Sequence, residues 1–143
     1  MISKKMQNKI NEQINAELWS AYLYLSMAMD AEAKALRGIA NWFFVQWLEE
    51  QDHARIFQNY MNAQGARVVL KPIPDVQIEW KNVLDMFKDT VKHEEEVTAM
   101  IRDLIQLAMD EKDFRRVAFS PDAKPSDGLA SFADLHDLLG CGN

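Results

Sequence analysis

Between Lys4 and Gln64 the chain contains no proline and a single glycine, Gly38. Proline and glycine are the residues that end helices and turn strands, so a run of this length without them is committed to long, regular elements. Apolar residues recur through it at Met6, Ile10, Ile14, Leu18, Ala21, Leu25 and Met29, then at Ile39, Phe43, Trp47, Ala54, Phe57 and Met61. This three-and-four spacing belongs to an amphipathic helix. Periodicity does not decide between one helix and two. The stripe runs almost unbroken through Leu36, whereas the small, charged stretch "DAEAKALRG" favours a turn near residues 31–37.

The segment that follows is different. "NAQGARVVLKPIPDVQIE" (62–79) opens with a glycine and then carries two prolines, which reads as extended chain. A third helix is expected from about Trp80 to Met109, carried by Trp80, Leu84, Phe87, Val91, Ile101, Ile105 and Ala108. A helix of roughly 28 residues is about 42 Å long, and roughly 15 extended residues reach about 50 Å. The connector can therefore run the length of a bundle and start the third helix parallel to the second. Its Val68, Val69 and Leu70 suggest that it packs. The expected fold is all-α, a helical bundle with one long crossover.

After Phe119 the text changes to turn chemistry, "SPDAKPSDG", then to a short helix-like stretch, "LASFADLHDLLG", that stops at Gly140. Residues 1–119 read as the bundle and 120–143 as an atypical C-terminal segment. A net charge of −6 argues against a nucleic-acid surface and draws cations toward the protein. One cysteine, Cys141, excludes an internal disulfide framework and suits a reducing compartment. With no apolar signal core and no run of membrane-spanning length, the sequence reads as cytoplasmic.

The acids placed on the three apolar stripes carry the chemistry. Glu17 stands between Ile14 and Ala21, Glu50 between Trp47 and Ala54, and Glu94 between Val91 and Ile101. Each helix is thus expected to turn one glutamate inward, and His53, three residues after Glu50, shares its face. Taken singly, an inward Glu is usually a boundary residue that snorkels to water, a His on an apolar face a hydrogen-bonded core residue, and Tyr24 an amphipathic core residue. "KHEEEVT" (92–98) is mostly a solvated face. Three buried carboxylates at one level, however, must raise their pKa values or share a cation. Combined with a Glu-x-x-His they form the donor set with which helix bundles hold pairs of iron ions. Carboxylates with one imidazole suit iron or manganese, and admit zinc.

The stretches "NEQINAELWSAYLYLSM" (11–27), "WLEEQDHARIFQNYMNAQG" (47–65) and "FKDTVKHEEEVTAMI" (87–101) together resemble the bacterial non-haem ferritins over about residues 4–119. The resemblance implies a ferritin-like four-helix bundle that assembles as a homo-oligomeric, twenty-four-subunit cage. It implies a ferroxidase that oxidises Fe(II) with O₂ or peroxide at an intrasubunit di-iron site and stores ferric mineral. By the same resemblance Glu17 and His53 would bind the first iron, Glu50 would bridge, and Glu94 would bind the second. Tyr24 would hydrogen-bond or pass an electron nearby, and Glu49 would serve a neighbouring third site. The third helix offers His93-Glu94 instead of a second Glu-x-x-His, which disfavours bacterioferritin and rubrerythrin. Asp52 stands where bacterioferritins place a haem-binding methionine, so no haem is implied.

The tail departs from that family, whose chain continues as a fourth long helix ending in glutamine and acids that complete the second and third sites. Pro121 and Pro125 oppose such a helix here, leaving the fourth helix short, altered or missing. Asp127, Asp134, His136 and Asp137 are candidate substitute ligands. A break this abrupt also has the form of a shifted reading frame. An alternative function is therefore a non-catalytic interaction or cage-lattice subunit with an incomplete second iron site.

Overall fold

The computed structural model describes residues 2–111. They form three helices, α1 (Lys4–Ala33), α2 (Arg37–Ala63) and α3 (Val83–Asp110), with no strand among the described residues. No helix among them is long and apolar enough to cross a membrane. The expectations for the segment after Phe119, including Asp127, Asp134, His136, Asp137 and Cys141, lie outside the described residues.

The run from Lys4 to Gln64 is two helices, broken at Lys34, Ala35 and Leu36. The break is built by backbone geometry. Ala35 sits at φ +57°, its N–H bonds the Glu32 carbonyl at 2.9 Å, and the Leu36 N–H bonds the Ala31 carbonyl at 2.9 Å. This is the Schellman arrangement. α2 ends in the same way around Gly65, at φ +69°, with Gly65 N–H to Asn62 O and Ala66 N–H to Met61 O, both 3.0 Å. Gly38, which the sequence associates with the first break, lies inside α2. The starts are capped by side chains. Ser3 Oγ accepts from Met6 N–H at 3.0 Å, and Asn82 Oδ1 accepts from Asp85 N–H at 2.8 Å.

The crossover, residues 64–82, climbs along α1 on a ladder of side-chain hydrogen bonds. Asn11 donates to Arg67 O at 3.1 Å and accepts from Val69 N–H at 2.9 Å. Asn15 donates to Val69 O at 2.9 Å and accepts from Lys71 N–H at 2.8 Å. A carboxamide carries the donor and acceptor of a peptide group, so the two asparagines pair with the chain as a neighbouring strand would. Higher up, Trp19 Nε1–H reaches Asp75 O at 3.4 Å and the Ser26 hydroxyl donates to Gln77 O at 2.6 Å. At the top the buried Asp30 accepts from Trp80 N–H at 3.2 Å and pairs with Lys34 at 2.7 Å, and Lys34 bonds the Trp80 carbonyl. α3 therefore starts beside the end of α1 and runs back antiparallel to it, parallel to α2, as the length argument requires. Its far end returns to the start of α1, where the Ser3 hydroxyl donates to the Glu111 carboxylate at 2.6 Å. Val68 packs against the core, while Val69 and Leu70 stay exposed.

The core has two apolar compartments. One gathers Ile10, Ile14, Phe57, Met61, Leu104 and Ala108 near the start of α1. The other gathers Tyr24, Met27, Phe43, Trp80 and Met86 near its end. Two expectations about faces need correction. Met29 is 46% exposed, because the seam drifts along α1 to Met27, Ala28 and Ala31. On α3, Leu84 and Val91 are 63% and 59% exposed, and the face on α1 is Met86, Thr90, His93, Val97, Ile101, Leu104 and Ala108. Apolar residues on α3 cover a wide arc, and the partner helix selects which part is buried.

Candidate metal centre

Between the two compartments lies a polar layer. On α1, Glu17 and Ser20 fall between Ile14 and Tyr24, Gln13 stands one turn before Glu17, and all three polar residues are buried. On α2, Glu50 stands midway between Phe43 and Phe57 and is 5% exposed. The helical positions that put aliphatic side chains in the core put these carboxylates there too, since they occupy the same stripes.

Glu17, Glu50 and His53 converge as the sequence predicts. Their ligating atoms lie within 4.8 Å of one another. His53 Nδ1 is 3.2 Å from Glu50 Oε2 and 3.9 Å from Glu17 Oε2. Gln13 Nε2–H donates to Glu17 Oε1 at 2.8 Å. The other oxygen, Glu17 Oε2, has no hydrogen-bond partner in a fully buried side chain. A buried carboxylate oxygen without a donor is unfavourable unless a proton or a cation occupies the space before it. Without a cation the proton wins. Burial, followed by the neighbouring Glu50, pushes the Glu17 carboxyl up to about 9. Burial raises Glu50 as well; the proton that Glu17 can share with it acts the other way, and the charges of Glu94 and Glu49 raise it again. A divalent cation would replace that proton and meet two carboxylates and an imidazole, a set of hard and borderline donors that fits iron.

Tyr24 and Glu94 meet at the edge of this group. Tyr24 is completely buried and its hydroxyl donates to Glu94 Oε1. Burial, then that bond, keeps the phenol protonated by raising its pKa. Glu94 itself is exposed, which corrects the expectation that it turns inward like Glu17 and Glu50. It borders an open cleft with Trp42, Phe87, Val91, Thr98 and Arg102. His93 occupies the inward position on α3. The spacing from Val91 and Ile101 misled because Val91 itself is exposed. Glu49 and Asp52 are exposed on the outer side of α2.

Three residues of the layer escaped the sequence reading. Gln13 had a signal, since a Gln four residues before a Glu can bond it on a helix. Ser20 and His93 had none, because their partnership joins α1 to α3. Ser20 gives its hydroxyl proton to Ala16 O at 2.9 Å, so the 2.6 Å contact is His93 Nε2–H donating to Ser20 Oγ. His93 also packs edge-on to Trp19 and Tyr24, at 5.1 and 6.0 Å between ring centres. Burial holds its pKa below the ordinary value.

Comparison with known proteins agrees with this architecture. The bacterial non-heme ferritin of Bacteroides fragilis is 39% identical over 113 residues, covering 79% of this chain and 71% of that protein. The Staphylococcus aureus bacterial non-heme ferritin is 32% identical over 119 residues, covering 83% and 72%. Among solved structures, an open pore ferritin from Archaeoglobus fulgidus superposes with a TM-score of 0.82 at 36% identity, over 98% of this chain and 80% of that one. The model of the ferritin-like domain matches residues 7–122, and the chain belongs to the ferritin-like family.

Proposed function

We propose that this protein oxidises Fe(II) and stores the ferric product, with iron as its substrate and cargo and no haem. The observation that carries the reading is the unpartnered Glu17 Oε2, facing Glu50 and His53 in a buried polar layer. Glu17 and His53 would take the first iron, Glu50 would be shared, and Glu94 would serve the second. Glu49 would belong to a neighbouring third site. Two Fe(II) each give one electron, and O₂ takes both together with two protons to leave as hydrogen peroxide. Peroxide is the alternative oxidant. The protein's part is to hold the two ions close, to release the Glu17 proton as they enter, and to keep Tyr24 protonated beside them.

Assembly of copies is part of the reading. Tyr22 and Met29 on α1 and Ile78 on the crossover are exposed and line one surface cleft, an apolar face of the kind that marks contact between proteins. One observation favours the second reading, a lattice subunit with little activity of its own. The second iron finds only Glu50 and the exposed Glu94 among the described residues. Mixing the protein with Fe(II) in air separates the two readings. Rapid oxidation, lost in Glu50→Ala while that variant stays folded, is expected. Oxidation at the buffer rate in the unmodified protein would leave the lattice reading.

A further inference from the structure

We propose that Ser20 and His93 are positioning residues, a buried lock between α1 and α3 that holds Glu94 against Tyr24 and so sets the second-iron position. This rests on the reading just given only in what the position is for. The lock itself is a claim about the metal-free protein.

Tyr24 and Glu94 form one contact between the two helices, and Ser20 and His93 form another about one turn along α1. His93 and Glu94 are neighbours, so fixing one ring fixes the backbone that carries the other side chain. Glu94 needs this support. It is exposed, and its only described hydrogen bond is the one it accepts from Tyr24. By contrast Glu17 is held by Gln13 and by burial on every side. Three side chains hold the His93 ring: Ser20 at Nε2, and Trp19 and Tyr24 in edge-on ring contacts. A histidine kept only for its volume would not need a 2.6 Å hydrogen bond to a serine whose own proton is committed to Ala16. The same ring also packs on the tyrosine that Glu94 engages, so loss of the lock acts on both partners of that contact. A ligand held within a few tenths of an ångström binds more tightly than one left to find its place.

The test uses Ser20→Ala and His93→Leu, which remove the bond, and His93→Gln, whose amide N–H can reach Ser20 and restore it. The first readout needs no metal: NMR of ¹³Cζ-labelled tyrosine, with the Tyr24 signal assigned by its absence in Tyr24→Phe. Ser20→Ala and His93→Leu should shift the Tyr24 signal toward that of a solvated phenol, and His93→Gln should return it most of the way. The second readout is anaerobic Co(II) titration by visible absorption. The first ion should bind within twofold of the unmodified protein and the second about tenfold more weakly. An unchanged Tyr24 signal in Ser20→Ala overturns the proposal, as does equal weakening of both Co(II) steps, which would mean general loosening. If the unmodified protein takes up no Co(II) while the Tyr24 signal shifts as expected, the lock stands and the iron reading falls.

Discussion

At the scale of single residues, Glu17 shows why a site of this kind opposes the stability of its own fold. The unfolded carboxyl ionises near its ordinary value, whereas the folded one holds its proton to about pH 9. Between those limits the native state binds one more proton than the unfolded state, so stability falls as pH rises. In the metal-free protein the Glu17 contribution is complete below about pH 4.5 and is lost as pH climbs through about 9. Thermal melts of metal-free protein should therefore show Tm falling from pH 5 to pH 9, with the slope reduced in Glu17→Gln. Each tenfold change in proton affinity is worth about 1.4 kcal/mol. On that scale Glu17→Gln should stabilise the metal-free protein at pH 8 by on the order of 2–4 kcal/mol. A Glu17→Gln melt no higher than the unmodified one at that pH would contradict this assignment. Cation entry must displace the same proton. Zn(II) binding should accordingly release protons into buffer and tighten as pH rises toward 9, which calorimetry in two buffers of different ionisation enthalpy measures directly.

At the scale of elements, the two helix ends make a natural pair. α1 and α2 stop in the same motif, yet one uses Ala35 and the other Gly65 at the left-handed residue. A non-glycine residue there costs about 1–2 kcal/mol, part of which glycine returns through its greater freedom when unfolded. Ala35→Gly should stabilise the protein by roughly 0.5–1 kcal/mol, read as a higher urea midpoint at unchanged slope. No side chain added at this turn is needed for the motif, whose bonds are all backbone. The contrast also explains what could be read from the text. Gly65 announced its turn, as the prolines announced the crossover and the stripe announced α1 and α2. The small, charged stretch around Ala35 announced a turn near residues 31–37, where the break lies, but not which residue takes the left-handed conformation, and Gly38 sits in α2. The same limit applies to the centre. Glu17, Glu50 and His53 were legible because each stands on a stripe fixed by its own helix. The inward residue of α3 was not legible, because which arc of α3 is buried depends on where α1 lies against it, and His93 instead of Glu94 takes that place.

At the scale of the whole molecule, α1 is the element that organises the rest. α2 packs along it, the crossover is bonded to it from Asn11 to Asp30, and α3 returns down it to Glu111. The polar layer sits midway along this shared helix, with an apolar compartment on either side to exclude water. Asn11 is the more enclosed of the two asparagine rungs, and Asn11→Ala would leave Arg67 O and Val69 N–H without that partner. Loss of two hydrogen bonds at a part-buried site is expected to destabilise the protein by about 1–3 kcal/mol. Asn15→Ala, at an exposed rung, should cost less, about 0.5–1 kcal/mol. Equal effects at the two positions in denaturant melts would show that burial does not govern the ladder.

The crossover ladder also fixes the order in which contacts can form. α1 and α2 are joined by a turn at residues 34–36 and can meet early, because closing a short loop loses little chain entropy. α3 reaches α1 only through the crossover, a longer closure than the turn at 34–36, so the contacts of crossover and α3 with α1 are expected on the late side of the folding barrier. A late contact governs how fast the native chain opens and not how fast it forms. Stopped-flow measurements should show Ala35→Gly acting on the folding rate and Asn11→Ala mainly accelerating unfolding. The asparagines that hold a connector in place would then set the lifetime of the centre, since α3 and its Glu94 leave α1 when the ladder opens.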